Sequence, residues 1–202
     1  MDLDELLQSR EAPAALAEHL EEGDAAALIA LLPEKNDDLR YCAFLVLQAR
    51  SRTHGDVYPF WDRFAAMLDD PNSYQRNIAL RLSAENVRWD REGKFSALFP
   101  AWMAHCRDEK FITCRQALQS IPTWAPFAPE LAEKAVRFLL ELDFSRLRES
   151  QRNLALTDLM DALAALRPFH SCPELEAYAS SVLDSGLLDK KTQKRLARTW
   201  RR

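Results

Sequence analysis

The stretch Gln75-Arg76-Asn77-Ile78-Ala79-Leu80 returns 76 residues later as Gln151-Arg152-Asn153-Leu154-Ala155-Leu156. Midway between the two stands Cys114-Arg115-Gln116-Ala117-Leu118, and upstream stands Leu39-Arg40-Tyr41-Cys42-Ala43-Phe44. The arginines of these four stretches, Arg40, Arg76, Arg115 and Arg152, are spaced by 36, 39 and 37 residues. Chance readily supplies one matching pair. Four in register, each near the start of an apolar run at helical spacing, mark an internal repeat, and a period near 40 belongs to helical-repeat architectures.

Composition points the same way. Leu and Ala supply sixty of the 202 residues, whereas Ile and Val supply nine. The first pair are strong helix formers and the second favour strands, so the chain reads as all-α. No stretch sustains period-two alternation between turn signals. Helices are predicted for Leu3 to Leu7, Pro13 to Gly23, Asp24 to Leu31 and Asn36 or Asp37 through Val46, then around Phe60 to Leu68 and through Ile78 to Val87. Further ones follow at Phe95 to Cys106, Phe111 to Ile121, Pro129 to Leu142, Glu149 to Leu166, Pro173 to Leu183 and Leu188 to Trp200. Pro13 suits a first helical position, Gly23 a helix end, Asp24 a cap and Asp70-Pro71-Asn72-Ser73 a tight turn.

Two helices per unit at this period resemble the HEAT/armadillo class. The best unit is Val57 to Glu85, with Pro59 in its first helix, the turn Asp69-Asp70-Pro71, and Arg76 followed by Ile78, Ala79 and Leu82. The next unit keeps Asp108 and Arg115 but has Glu109-Lys110 at the turn, and the fourth has Ser145-Arg146 where the turn acid would stand. The resemblance covers roughly residues 24–167 and extends to small bacterial HEAT-like proteins. It implies a right-handed α-α superhelix, a solenoid of four to five helical hairpins, taken as one domain over 1–202. Within it, 1–50 form acidic N-terminal hairpins, 57–167 hold the clearest repeats, and 173–202 are capping helices. It also implies a structural ladder of Arg40, Arg76, Arg115 and Arg152 with turn acids such as Asp69 and Asp108, the alternative being that the arginines contact a ligand.

In stacked hairpins the second helices line the concave side. The position after each repeat arginine reads Tyr41, Asn77, Gln116 and Asn153, and the position four further on reads Leu45, Arg81, Ser120 and Thr157. Tyr41, Asn77, Arg81, Gln116, Asn153 and Thr157 are therefore the candidates for a groove that tracks a protein or peptide. A solvated helix face is the plainer reading of the same column.

Catalytic and cofactor signatures are missing from the sequence. Four scattered Gly form no phosphate cradle, and four His form no HExxH. Four Cys at 42, 106, 114 and 172 make no paired metal spacing and read as reduced thiols. Neither metal nor cofactor is expected. No apolar run reaches the roughly 20 residues that span a bilayer, and the acidic start is unlike a signal peptide, so a cytoplasmic location is the expectation. One enzymatic alternative shares the architecture: the DNA-alkylation-repeat glycosylases, HEAT-like proteins that hold DNA in a basic groove with Trp and Asp. Trp89-Asp90 invites the comparison, with Arg76, Arg81, Arg88, Arg91 and Arg115 as phosphate contacts. A net charge of −4 opposes it, because nucleic-acid binding needs a basic footprint.

Charge is uneven along the chain. Residues 1–38 hold eleven acids and two bases, while residues 190–202 hold seven bases and no acid. The basic segment reads as a capping helix or as a contact for an acidic partner, RNA or a second copy. The expected state is a monomer with weak, salt-sensitive self-association.

Overall fold

The computed structural model of the chain describes residues 2–201. Among them there are twelve α-helices, six short 3-10 turns and no strand. The chain falls into two compact units, Met1–Leu98 and Phe99–Arg202, where the sequence reading takes one domain.

In the first unit the helices are α1 (Leu3–Gln8), α2 (Pro13–Glu18), α3 (Asp24–Leu31), α4 (Asp37–Ser51), α5 (Trp61–Met67) and α6 (Ser73–Asn86). Local chemistry sets their starts. Pro13 occupies the first turn of α2, where its missing N–H costs nothing. Asn36 accepts from the amides of Asp38 and Leu39 at the head of α4, and Asn72 accepts from Tyr74 at the head of α6. Asp24 does not cap α3 as its position suggested. Gly23, at φ 92°, makes the entry in a left-handed conformation that a side chain would strain, and the Asp24 carboxylate turns back to the amide of Glu21. Leu6, Leu28, Leu32, Phe44, Leu47, Phe64 and Leu82 form the core between these helices. α4 packs against α1, α2, α3 and α6 and is the central element of the unit.

α7 (Lys94–Ala104) crosses the division between the units. The second unit continues with α8 (Phe111–Trp124), α9 (Ala132–Leu140), α10 (Glu149–Leu166), α11 (Pro173–Asp184) and α12 (Lys190–Trp200). α8 runs past Pro122, where the sequence suggested a stop. The proline lies on the exposed side, so water can satisfy the carbonyl it leaves without a donor. α9 starts later than expected because Pro129–Leu131 forms a 3-10 turn. Trp124 stands edge-on to Trp102 at 6.1 Å and to Phe99 at 5.8 Å, geometries favoured by the aromatic quadrupole. α10 packs against α8, α9, α11 and α12.

Trp89 and Asp90 are tied into the first unit. The Trp89 indole donates to the Ser51 carbonyl at 2.7 Å, and its ring lies so close to Gly55 that a Cβ there would sit 3.2 Å from it. Asp90 accepts from the Tyr58 hydroxyl at 2.7 Å and from the amides of Glu92, Lys94 and Phe95, closing the first turn of α7. Burial works to raise the Asp90 carboxyl. The Phe95 amide, the Tyr58 hydroxyl and the other two amides outweigh it and hold the group below its ordinary value. A folded value below the unfolded one, about 3.9, makes the stabilisation full above about pH 4 and lost as pH falls through the folded value. Asp90→Ala is therefore expected to cost about 1–2 kcal/mol near neutrality, as for other lost helix caps. Urea denaturation at a series of pH values should show the gap between wild type and variant closing below about pH 4.

Candidate interaction surface

The repeat arginines share a local role. Arg40 donates to the Glu34 carbonyl at 2.9 Å and pairs with Asp37. Arg76 donates to the Asp70 and Pro71 carbonyls at 2.9 and 3.1 Å, and Arg152 to those of Ser145 and Leu147 at 2.8 and 3.1 Å. Each guanidinium folds back over the start of its own helix onto carbonyls of the preceding turn. Arg40 and Arg76 are buried, so these bonds satisfy groups that water reaches poorly. Arg115 departs from the pattern. It forks onto Asp158 of α10, with Nε to Oδ2 at 2.5 Å and a terminal nitrogen to Oδ1 at 3.2 Å.

The turn acids need correction at one position. Asp69 is exposed and has no hydrogen bond or ion pair among the described residues, so it is no rung of a ladder. The turn contributes main-chain oxygens to Arg76, which a short carboxylate pointing to solvent cannot replace. Asp108 accepts from the Lys110 amide and lies 3.0 Å from His105 Nδ1.

Neighbouring second helices are joined by polar contacts within each unit. Between α4 and α6, Arg81 donates to Gln48 Oε1 at 2.9 Å, and Gln48 Nε2 donates to Glu85 at 3.2 Å. Glu85, only 3% exposed, also takes Arg52 at 3.1 Å and Arg88 at 3.2 Å. Burying a carboxylate without such partners is costly. Burial lowers Arg81 from its ordinary value, while Tyr41 and Glu85 act to raise it. In the second unit Gln119 joins Arg115 on Asp158, and Arg195 of α12 binds Asp161 of α10 through both oxygens, at 2.7 and 2.9 Å.

Of the groove candidates, three are absorbed internally. The Thr157 hydroxyl donates to the carbonyl of Asn153, Asn153 donates to that of Leu187, and Gln116 reaches Gln119. Asn77 is half-buried, with an Oδ1 that has no hydrogen-bond partner. Arg81 lies over the Phe44 ring at 5.0 Å. Tyr41 is 43% exposed beneath Arg10, and Tyr74 is 64% exposed beside Arg40. Tyr41, Leu45, Gln48 and Arg52 follow one another along one side of α4. Tyr74, Asn77, Arg81, Glu85 and Arg88 do so along α6 and its end. This side of the first unit thus carries two exposed tyrosines at one end and, at the other, a guanidinium–carboxylate lattice built on the buried Glu85 and Gln48.

The carboxylates that hold the helices together were missed in the sequence. A signal was present: Glu85 and Asp161 both stand nine residues after a repeat arginine, 76 apart. Asp158 has no counterpart in the other repeats to reveal it.

Other chemistry-bearing groups are held inert. The Cys114 thiol donates to the Cys106 carbonyl at 3.0 Å. Burial, then the neighbouring Cys114, pushes Cys106 well above its ordinary value. Burial, with Asp158 and Asp108, lifts Cys114 to about 11. A thiol kept protonated is a poor nucleophile and a poor metal ligand. Among the described residues no group of three or more His, Cys, Asp or Glu is arranged to hold a metal ion, and no helix is long and apolar enough to cross a membrane.

Compared with solved structures, the chain is similar to a crystal structure of an engineered protein. The two are 15% identical, with a TM-score of 0.59 over 98% of this chain and 86% of the other. At that identity the likeness speaks for the fold alone. No protein-family model and no curated protein matches the chain.

Glu85→Ala removes an acceptor shared by Gln48, Arg52 and Arg88. Breaking a buried pair costs about 3–5 kcal/mol, and the exposure of Arg52 reduces the expected loss to about 2–3 kcal/mol. Asp69→Ala, at an exposed and unpaired site, should stay within about 0.5 kcal/mol of wild type. Chemical denaturation of the two variants checks the contrast; equal losses would contradict it.

Proposed function

We propose that this chain is a non-catalytic, cytoplasmic scaffold, a HEAT-like right-handed solenoid without a cofactor, that binds a protein or peptide segment along α4 and α6. The observation that carries the reading is the pair of exposed tyrosines, Tyr41 and Tyr74, each against a guanidinium and both set on a polar lattice anchored by Glu85. Tyr and Arg are the residue types that most often dominate binding energy. They do so best when held in place before the partner arrives, since little side-chain freedom is then lost. The 38-residue register of the repeats supports the solenoid, and four unbonded cysteines suit a reducing compartment.

The base-excision reading finds less support. Asp90 has both oxygens engaged by Tyr58 and by main-chain amides, and Trp89 is fixed on Ser51, so neither is poised toward a base in a groove. A lowered carboxyl that four donors already occupy is a structural cap. The chain's negative charge also works against phosphate binding.

Selection of a random-peptide library on the immobilised protein tests the proposal. Selected peptides should bind the Tyr41→Ala/Tyr74→Ala variant at least tenfold more weakly, about 1.4 kcal/mol, with the melting temperature unchanged. Full-strength binding to the variant, or recovery of no peptide, would contradict the assignment.

A further inference from the structure

α12 is held firmly on one side and left open on the other. Leu196 and Trp200 are buried, Arg195 is clamped on Asp161, and Arg167 donates to the Trp200 carbonyl at 3.2 Å. On the outer side Lys190, Lys191, Lys194, Arg198 and Arg201 are exposed, and no side chain among them has a hydrogen bond or ion pair among the described residues. Lys191, Lys194 and Arg198 border an open concavity of about 800 Å³, which Asp189 also lines. Leu187, just ahead of the helix, is exposed as well. Asp189 offsets only part of the positive charge, so the cations repel one another, and an anionic partner would relieve that repulsion.

The first unit carries the opposite surplus. Asp4, Glu5, Glu11, Glu18, Glu21 and Glu22 are exposed, and their carboxylates have no ion pair among the described residues. Among them α1 displays Leu3 and Leu7, one turn apart and both exposed. An acidic segment with an apolar ridge matches a basic helix flanked by an exposed leucine and a shallow concavity, in charge and in the presence of apolar anchors.

We propose that the outer face of α12 binds the acidic segment 2–22 of a second copy of this chain, head to tail. The contact joins two different surfaces, so it is heterologous, not a self-complementary patch. A polyanion such as RNA fits less well. RNA brings no leucine ridge to set against the exposed Leu187, whereas α1 brings Leu3 and Leu7. Because both surfaces are exposed, the attraction belongs to low salt. The screening length is about 30 Å at 0.01 M and about 8 Å at physiological ionic strength.

Sedimentation velocity over a concentration series tests this, with wild type, Lys191→Glu/Lys194→Glu/Arg198→Glu and Asp4→Lys/Glu5→Lys/Glu11→Lys at about 10 mM and about 150 mM salt. Wild type should associate at low salt and weaken at least tenfold at the higher. Each reversed variant alone should remain monomeric, and an equimolar mixture of the two should associate again, because each then offers the charge the other lacks. Thermal melts confirm that all three proteins are folded. Salt-insensitive association, association of a single reversed variant, or a mixture that stays monomeric would each overturn the proposal. So would a wild type that remains monomeric at low salt and there binds single-stranded RNA through Lys191, Lys194 and Arg198.

Discussion

An arginine folded back onto the carbonyls of the turn before its own helix is the interaction on which this structure turns. Arg40, Arg76 and Arg152 each make it, and it answers a problem every helical hairpin has. The turn into the second helix leaves main-chain oxygens without donors, and packing limits the access of water to them. A long side chain with five donors near the helix start satisfies several at once. It also fixes where the helix begins, and therefore which side chains fall on its outer surface. Arg115 shows what happens when the donor is used elsewhere: it ties α8 to α10 through Asp158, a bond between helices instead of within a turn.

The second level of organisation is the set of carboxylates between neighbouring helices. Glu85 gathers contacts between α4 and α6, Asp158 joins α8 to α10, and Asp161 joins α10 to α12. Each is an acid flanked by arginine, and each determines which nearby polar side chains remain available. Asn153, Thr157 and Gln116 are absorbed by internal bonds, whereas Tyr41 and Tyr74 stand outside the lattice and keep their exposed rings. The proposed binding surface thus follows from what the framework leaves unused.

Much of this was legible in the sequence because it rests on local chemistry. Asn36 and Asn72 announce their helices, Pro13 starts one, and the recurrence of Gln75–Leu80 at 151–156 gives the register. The failures share a cause. Asp69 carries the motif position of a ladder acid, but its orientation is decided by the turn, and the carbonyls beside it do the bonding. α8 continues beyond Pro122 because that proline faces outward. Periodicity shows that a residue lies on a helix; which neighbour it meets is a property of packing between helices, and in Asp158 that packing left no trace in the repeat.

The central claim is that the α4–α6 surface is a preformed lattice with two tyrosines free for a partner. Amide chemical-shift mapping of the labelled protein during titration with a library-selected peptide addresses it most directly. The account predicts shifts concentrated at Tyr41, Tyr74, Asn77 and the ends of α4 and α6 near Arg52 and Arg88, with the core amides of both helices unmoved. Shifts centred on α9 or α11, or a general rearrangement of α4 and α6 on binding, would contradict it.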